Sequence, residues 1–443
     1  MEEIFVTKLR INKVRHLENL ETPLSETERK HLILTGKNGS GKTSVLLEIK
    51  NYLLALFQDW FYNRDNPNFW DFYRTYQSQI SSVKNSIFQI QNNYNNFSNN
   101  YWQDDSQIQN QQKLLKTLQN EFDYTTLISQ HSIGDKSNLN LDITFEEKVR
   151  IFHQNNQFIS NFFDSKRTNF IGISVGSSSL ALKSTYSLRE PANINFNQFI
   201  VNLRTKRAFA FESGQIENYE AIDRWFSRFN ELLKFFFEDT SLTLEFEPDS
   251  YSFNIITENK QPFDLNNLSD GYSALFSIIT EIMMRMENKN PQIYDIQGIV
   301  LIDEIENHLH ISLQKKILPF LTTFFPKIQF IVTTHSPFVL SSIDNAVVYD
   351  LEKQERIEDM SGYSYSSIVK GYFGTDEYSQ EVKEKIADYE YLIKKSNNDT
   401  TLLTLDEKER YYDLKKYFAE LPKSLSPELQ LKIQQLEIVS LAQ

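Results

Sequence analysis

Apolar and polar positions alternate through the first twenty residues, with Ile4, Val6, Leu9 and Ile11 separated by Lys8 and Arg10, which is the pattern of a pair of half-buried strands. His31–Thr35 is a short apolar run closed by Gly36. Gly298–Ile302 and Ile328–Thr333 are continuous apolar runs, the pattern of parallel strands buried on both faces, and together these runs predict an α/β core. After Thr43 the pattern turns helical, and from Lys42 to Ser132 there is no glycine and one proline, Pro67. In that stretch Ile80, Val83, Ile87, Ile90, Tyr94, Phe97 and Tyr101 keep a three-to-four spacing that resumes at Ile108, Leu115, Leu118 and Phe122. This predicts either a short coiled-coil finger, with residues 103–107 at the tip, or an Asn/Gln-rich helical insertion folded back on the head; Asp104, Asp105 and Gln111 interrupt the seam. Strand-like runs at Leu141–Phe145 and Phe170–Val175 follow, then helical regions over Asn218–Glu238 and Ser273–Arg285. The tail after Asp350 reads as helical, with a capping box at Thr404 and Glu407 and a helix start at Ser426, Pro427 and Glu428.

Composition narrows the function classes. The 443 residues are 40% hydrophobic and 14% aromatic, enough for a sizeable core and two or three average domains. No cysteine is present, which excludes disulfides and thiolate metal sites. With no N-terminal apolar run and no apolar stretch long enough to span a bilayer, a cytoplasmic protein is expected. The net charge of −13 argues against a surface coated with phosphate-binding cations. The first 50 residues hold nine Lys/Arg against seven Asp/Glu, net +2, so the remainder carries −15.

Four motifs carry chemistry. Gly36-Lys37-Asn38-Gly39-Ser40-Gly41-Lys42-Thr43 matches the phosphate-cradling loop G-x-x-x-x-G-K-[ST], set between an apolar run and the helical Ser44–Lys50. Its glycines let backbone N–H groups turn inward around phosphates, Lys42 reaches the β/γ-phosphates, and Thr43 offers its hydroxyl to Mg²⁺. Ile299–Ile302 is a buried strand that ends in Asp303, a metal holder, and Glu304, which can polarise an attacking water. His335, within Thr333–Pro337, falls at the C-terminal end of the next apolar run, the edge where α/β sheets place their ligands. Ser269 and Gly271 stand at the start of the helical 273–285 segment as a further anion site, the weakest signal of the four.

In this order the motifs resemble the ATP-binding-cassette ATPases, and Asn38, Asp303–Glu306 and Thr334–Pro337 look like their RecF, SMC and OLD-like branch. The resemblance implies an ABC-ATPase head, a P-loop parallel sheet with an antiparallel β lobe, over 1–60 and 140–350. It leaves 61–139 as a helical or coiled-coil insertion and 351–443 as a helical C-terminal region. It implies ATP and Mg²⁺ bound at Arg15, Asn38, Gly39, Ser40, Gly41, Lys42, Thr43 and Ser44, with Thr43 and Asp303 at the metal and Glu304, His335 and Lys42 as catalytic groups. Ser269 and Gly271 would contact the γ-phosphate on a second protomer, in a head-to-head dimer crossed by Asn307 and His308. Two departures stand out: Asp270 replaces the family's usual glycine, and no Q-loop glutamine can be placed, although Lys166-Arg167 lies in that region.

The 225 residues from Thr43 to Leu268 exceed what a compact transporter ATPase holds there, which counts against a transport motor. The reading that results, by resemblance to the Septu, PARIS and OLD-like ATPases, is the ATPase of a two-component anti-phage system. Because this chain shows no nuclease pattern of its own, a separate effector nuclease of HNH or Toprim type is implied, with DNA or a phage protein as further candidate partners. The alternative is a RecF/SMC-like ATPase that clamps DNA in repair or chromosome maintenance.

Overall fold

The computed structural model describes residues 2–57, 78–86, 138–167, 191–258, 260–265, 267–287, 294–357, 360–363, 380–396 and 403–420, with scattered positions between 172 and 188 and at 367–368. It divides into two units, Met1–Gly362 and Tyr363–Gln443.

In the first unit the alternating N-terminal run forms the hairpin β1 (Val6–Val14) and β2 (Leu17–Pro23), and β4 (Leu139–Ile143) pairs with the other edge of β1. A register shift between Val6 and Lys8 accounts for the three-residue step between the buried side chains of Val6 and Leu9. A second sheet has the order β12-β11-β3-β10-β9-β5. In it β3 (His31–Thr35), β5 (Phe158–Phe163), β9 (Gln297–Ile302), β10 (Ile328–Thr333) and β11 (Ala346–Asp350) run parallel, with β12 (Glu355–Ile357) antiparallel at the edge. Every residue of β3, β9, β10 and β11 is buried, which is why these strands are mainly apolar and do not alternate, with His31, Gln297, Gln329 and Asp350 buried among the apolar residues. Between the sheets lies α1 (Lys42–Leu56), whose Val45, Leu46, Ile49 and Leu53 share one apolar cluster with Leu9 and Ile11 of the first sheet and Leu32, Leu34 and Ile331 of the second.

A short helix, α2 (Glu146–Gln154), precedes β5. The helices α3 (Phe196–Glu212) and α4 (Ile216–Phe237) lead to the antiparallel meander β6 (Thr243–Glu247), β7 (Ser252–Thr257) and β8 (Lys260–Asp264), and then to α5 (Asp270–Glu287). Aromatic rings join the three long helices: Phe196 of α3 packs against Phe229 of α4 at 5.5 Å and meets Phe276 of α5 edge-on at 5.6 Å. The buried Glu281 carboxylate of α5 accepts from Arg285 Nε (2.7 Å) and from the backbone N–H groups of Ala192 and Asn193, pinning α5 to the start of α3. Both charges are thereby compensated, the condition for burying them at all. The expected α/β head, with a parallel P-loop core and an antiparallel lobe, is the architecture observed.

Differences from the sequence expectations are local. The strand expected at Leu141–Phe145 ends at Ile143, because Phe145 takes a left-handed φ of 50° that starts α2. Gly172 and Ser174 belong to no strand, and the other positions of that expected run lie outside the described residues. The strand in this part of the chain is β5, whose polar Ser160 and Asn161 break its apolar run. The head sheet extends past Asp350, since Gln354, with φ 56°, turns the chain back into β12. Of the heptad-like seam only residues 78–86 are described, as helix with Ile80 buried; the finger itself lies outside the described residues.

In the second unit, α6 (Gln380–Ser396) and α7 (Leu405–Glu420) pack Ile386, Tyr389, Leu392 and Ile393 against Leu414 and Phe418. The capping box is formed: Thr404 N–H donates to Glu407 Oε2 at 2.9 Å, and Thr404 Oγ1 accepts from Glu407 N–H at 3.4 Å. The helix start expected at Ser426 lies outside the described residues.

Candidate active site

The carboxyl ends of β3, β9 and β10 meet at one edge of the parallel sheet, where the topology of α/β folds places ligands. After β3 the chain turns through Gly36, Gly39 and Gly41, whose φ values are 132°, 88° and 98°. Only glycine takes these without strain, and a side chain at Gly36 would also fall 2.8 Å from Ser40 Oγ. Space above Gly39 is open, so the loop forms a cradle of backbone amides at the start of α1. Lys42 is buried, and among the described residues its Nζ donates to the carbonyls of Gly36 (2.8 Å) and Lys37 (3.1 Å) and to no carboxylate. Burial lowers its pKa, and the charges of Glu304, Glu306 and Asp303 oppose that effect. A cation without a hydrogen-bonded carboxylate, beside the buried unpartnered Ser40 Oγ, is complementary to phosphate oxygens. Lys37 and Asn38 are exposed at the rim, where Lys37 Nζ donates to Glu352 Oε1 at 2.8 Å. Ser44 is half-buried in the first turn of α1.

Asp303, at the end of β9, is buried and accepts from Thr43 Oγ1 at 3.0 Å, joining residues 260 apart in the chain. Thr333, at the end of β10, donates to Asp303 Oδ1 at 2.6 Å and accepts from Glu304 N–H at 2.7 Å, so one hydroxyl fixes both acidic positions. The Thr43–Asp303 oxygen pair suits a hard divalent cation that takes its other ligands from phosphate and water. Among the described residues no group of three or more His, Cys, Asp or Glu could hold a metal by itself.

Glu304 takes a φ of 46° and is half-buried. Glu306 Oε1 accepts the His335 N–H, while its Oε2 is buried with no partner. Burial, and then the Lys42 charge, lower the His335 pKa, so its imidazole is neutral at neutral pH. Ser336 caps the short turn of helix Pro337–Leu340 and donates to Gln314 Oε1 at 2.7 Å, which anchors the backbone beside His335.

Lys42, Thr43, Asp303, Glu304 and His335 are thus brought to one sheet edge. Arg15 is exposed, with φ 55°, in the β1–β2 turn; the next residue, His16, has its ring 3.8 Å from where a Cβ on Gly41 would stand, so this turn lies beside the cradle. Ser269 is exposed ahead of α5, and Gly271 packs so closely that a Cβ there would meet His308 O at 2.5 Å. Among the described residues neither forms a hydrogen bond with the cradle. Three residues given no role from sequence also act here: Thr333, Glu306 and Arg167, the last donating to the carbonyls of Asp303 (2.6 Å), Glu304 and Ile305 (3.4 Å). No helix among the described residues is long and apolar enough to cross a membrane.

The parallel sheet, the glycine cradle and the acid-ended strand beside it define a P-loop nucleotide-binding protein of the ATPase class. The chain belongs to the AAA_21 family, "AAA domain, putative AbiEii toxin, Type IV TA system", whose model matches residues 32–341. It is similar to the Septu protein PtuA of Bacillus mycoides (strain KBAB4), 48% identical over 93 residues that make up 21% of this chain and 13% of that protein. It is also similar to the Retron Vc95 probable ATPase of Vibrio cholerae serotype O1 biovar El Tor, 24% identical over 434 residues, 85% of this chain and 81% of that one. Among solved structures, the SMC head bound to the C-winged helix domain of ScpA aligns over 78% of this chain and 94% of its own, at 12% identity and a TM-score of 0.37.

Proposed function

We propose that this chain is the ATP-binding and hydrolysing subunit of a bacterial anti-phage defence complex that controls a separate effector, a nuclease. The observation that carries the ATPase half is the Thr43–Asp303–Thr333 hydrogen-bond relay beside the buried Lys42 ammonium. The defence half is supported by the likeness to a Septu protein and a Retron ATPase.

On this reading Lys42 exchanges its two carbonyl partners for the β- and γ-phosphate oxygens of ATP, which the cradle amides also bind. Thr43 and Asp303 hold Mg²⁺, which when bound neutralises phosphate charge. Glu304 accepts a proton from the water whose oxygen bonds to the γ-phosphorus, and the bond from that phosphorus to the ADP oxygen breaks. Neutral His335 hydrogen-bonds the γ-phosphate and orients that water. Ser269 and Gly271 are unused within the chain and serve a second copy, closing two composite sites in a head-to-head dimer. Arg15, Asn38 and Ser44 line the mouth of the site. Hydrolysis or loss of nucleotide separates the heads and changes the hold on the effector.

The test is co-purification with the product of the neighbouring gene, with mass measured with and without ATP. A stable complex with a nuclease-like partner, altered in mass by ATP, is the expected result. A partnerless chain that shifts duplex DNA only with ATP would replace the defence reading by the DNA clamp, to which the −13 net charge is unfavourable.

A further inference from the structure

We propose that Arg167 is a positioning residue for hydrolysis: its guanidinium holds the turn after β9 in the left-handed conformation that presents Glu304. The inference rests on the reading of Glu304 as the general base.

In an extended strand successive carbonyls point to opposite sides. Glu304, at φ 46°, breaks that alternation, and the carbonyls of Asp303, Glu304 and Ile305 converge on one guanidinium. A non-glycine residue held there is strained, and such strain persists only where the surroundings over-determine it. Arg167 supplies that support with a rigid fork of donors: Nη2 serves Asp303 O and Glu304 O, Nη1 serves Ile305 O, and Nε donates to Asp164 O at 3.2 Å. Three carbonyls on one side form a concentration of negative partial charge that a planar cation fits and a relaxed, alternating turn would not offer. The same loop is bonded to the turn twice more, by Asp303 N–H to Phe163 O at 2.8 Å and by Asn307 Nδ2 to Ser165 O at 2.9 Å. The loop after β5 is therefore a splint for the acidic turn, with Arg167 as its one charged contact.

Among the described residues Arg167 forms no ion pair. Glu306 is the strongest of the negative charges acting on it, followed by Asp303, so the guanidinium links the backbone of the turn to the acids that the turn carries. Lys166, its neighbour, is exposed.

The experiment compares ATP hydrolysis and ATP-analogue affinity in full-length parent, Arg167→Ala, Arg167→Lys, Lys166→Ala and Glu304→Gln. Because the Lys42 ammonium is held by the Gly36 and Lys37 carbonyls rather than by this turn, Arg167→Ala should lower kcat by about tenfold to a hundredfold and leave analogue Kd within about threefold. Arg167→Lys, whose ammonium cannot span three carbonyls, should fall between Ala and parent, and Lys166→Ala should match parent. Should Arg167→Ala not fold, Arg167→Gln keeps two donors and takes its place. Parent-like kcat in the Ala variant, full activity in the Lys variant, or equal losses of kcat and affinity would each overturn the proposal. If the parent hydrolyses ATP and Glu304→Gln does not, such a result sinks the Arg167 role alone; if Glu304→Gln hydrolyses at the parent rate, the reading of the site itself fails.

Discussion

Two turns meet at the same edge of the parallel sheet and are built on opposite principles. The turn after β3 reaches positive φ at Gly36, Gly39 and Gly41, where it costs little, and is open to a ligand above Gly39. The turn after β9 reaches positive φ at Glu304 and His308, side-chain-bearing residues that rarely adopt it, and is held there by Thr333, by Arg167 and by the Glu306 bond to His335 N–H. The first is a relaxed cradle for binding and the second a braced turn for chemistry. Substitutions should therefore separate affinity from rate according to which turn they touch.

The largest effect expected is on rate. If Glu304 is the proton acceptor proposed above, Glu304→Gln should lower ATP turnover about 10²–10⁴-fold with ATP binding retained, measured by phosphate release against equilibrium binding. Glu304→Gly should be equally slow yet melt at a higher temperature, because glycine removes the left-handed strain; an unchanged or lower melting temperature would mean the turn is not strained. Lys42→Ala should cost at least about a hundredfold in ATP affinity by the same binding assay.

A third experiment sharpens the contrast through pH. His31 begins β3; burial and then the Arg29 charge lower its pKa from 6.5 to about 4, and its neutral Nδ1 accepts Phe330 N–H at 3.0 Å. The unfolded chain takes up this proton near pH 6.5 and the folded chain only near pH 4, so stability rises with pH between the two. It should be fully present above pH 6.5 and fall by up to about 3 kcal/mol as pH drops towards 4. His31→Gln should flatten that slope in urea titrations. Thr333→Val leaves Glu304 N–H without its acceptor and should destabilise by about 1–3 kcal/mol in the same assay, independently of pH in this range. The smallest effect belongs to the cradle's rim: Lys37→Ala breaks only the exposed pair with Glu352, and the melting temperature should not move.

The same difference governs how much of the site could be read from sequence. The cradle was legible in full, because glycines at fixed spacing and one lysine encode it locally. Asp303, Glu304 and His335 could be singled out because they follow the mainly apolar runs Gly298–Ile302 and Ile328–Thr333. What braces the second turn was not, since Arg167 reaches it from 136 residues away and the strand that delivers it, β5, hides its apolar run behind Ser160 and Asn161. Recognising β5 would have put Arg167 just past a strand's carboxyl end, where ligands and catalytic groups gather. Thr333 was read as the end of the run Ile328–Thr333 and the first residue of Thr333–Pro337, with no role of its own. Its double hydrogen bond depends on the parallel register of β9 and β10, which no periodicity reveals.

The central place of β3 also sets a clock on biosynthesis. Both of its neighbours in the sheet, β10 and β11, are translated about 300 residues later, which at roughly 5–20 residues per second is an interval of tens of seconds on the ribosome. Throughout that time a strand that ends up wholly enclosed has no sheet partner, and the cradle that follows it lacks its acidic counterpart. A nascent chain cut short before Asp303 carries the phosphate loop without the turn that acts on the nucleotide. Competence to hydrolyse ATP therefore arrives only with the last third of the polypeptide, and the nucleotide becomes a ligand that reports completion of the head.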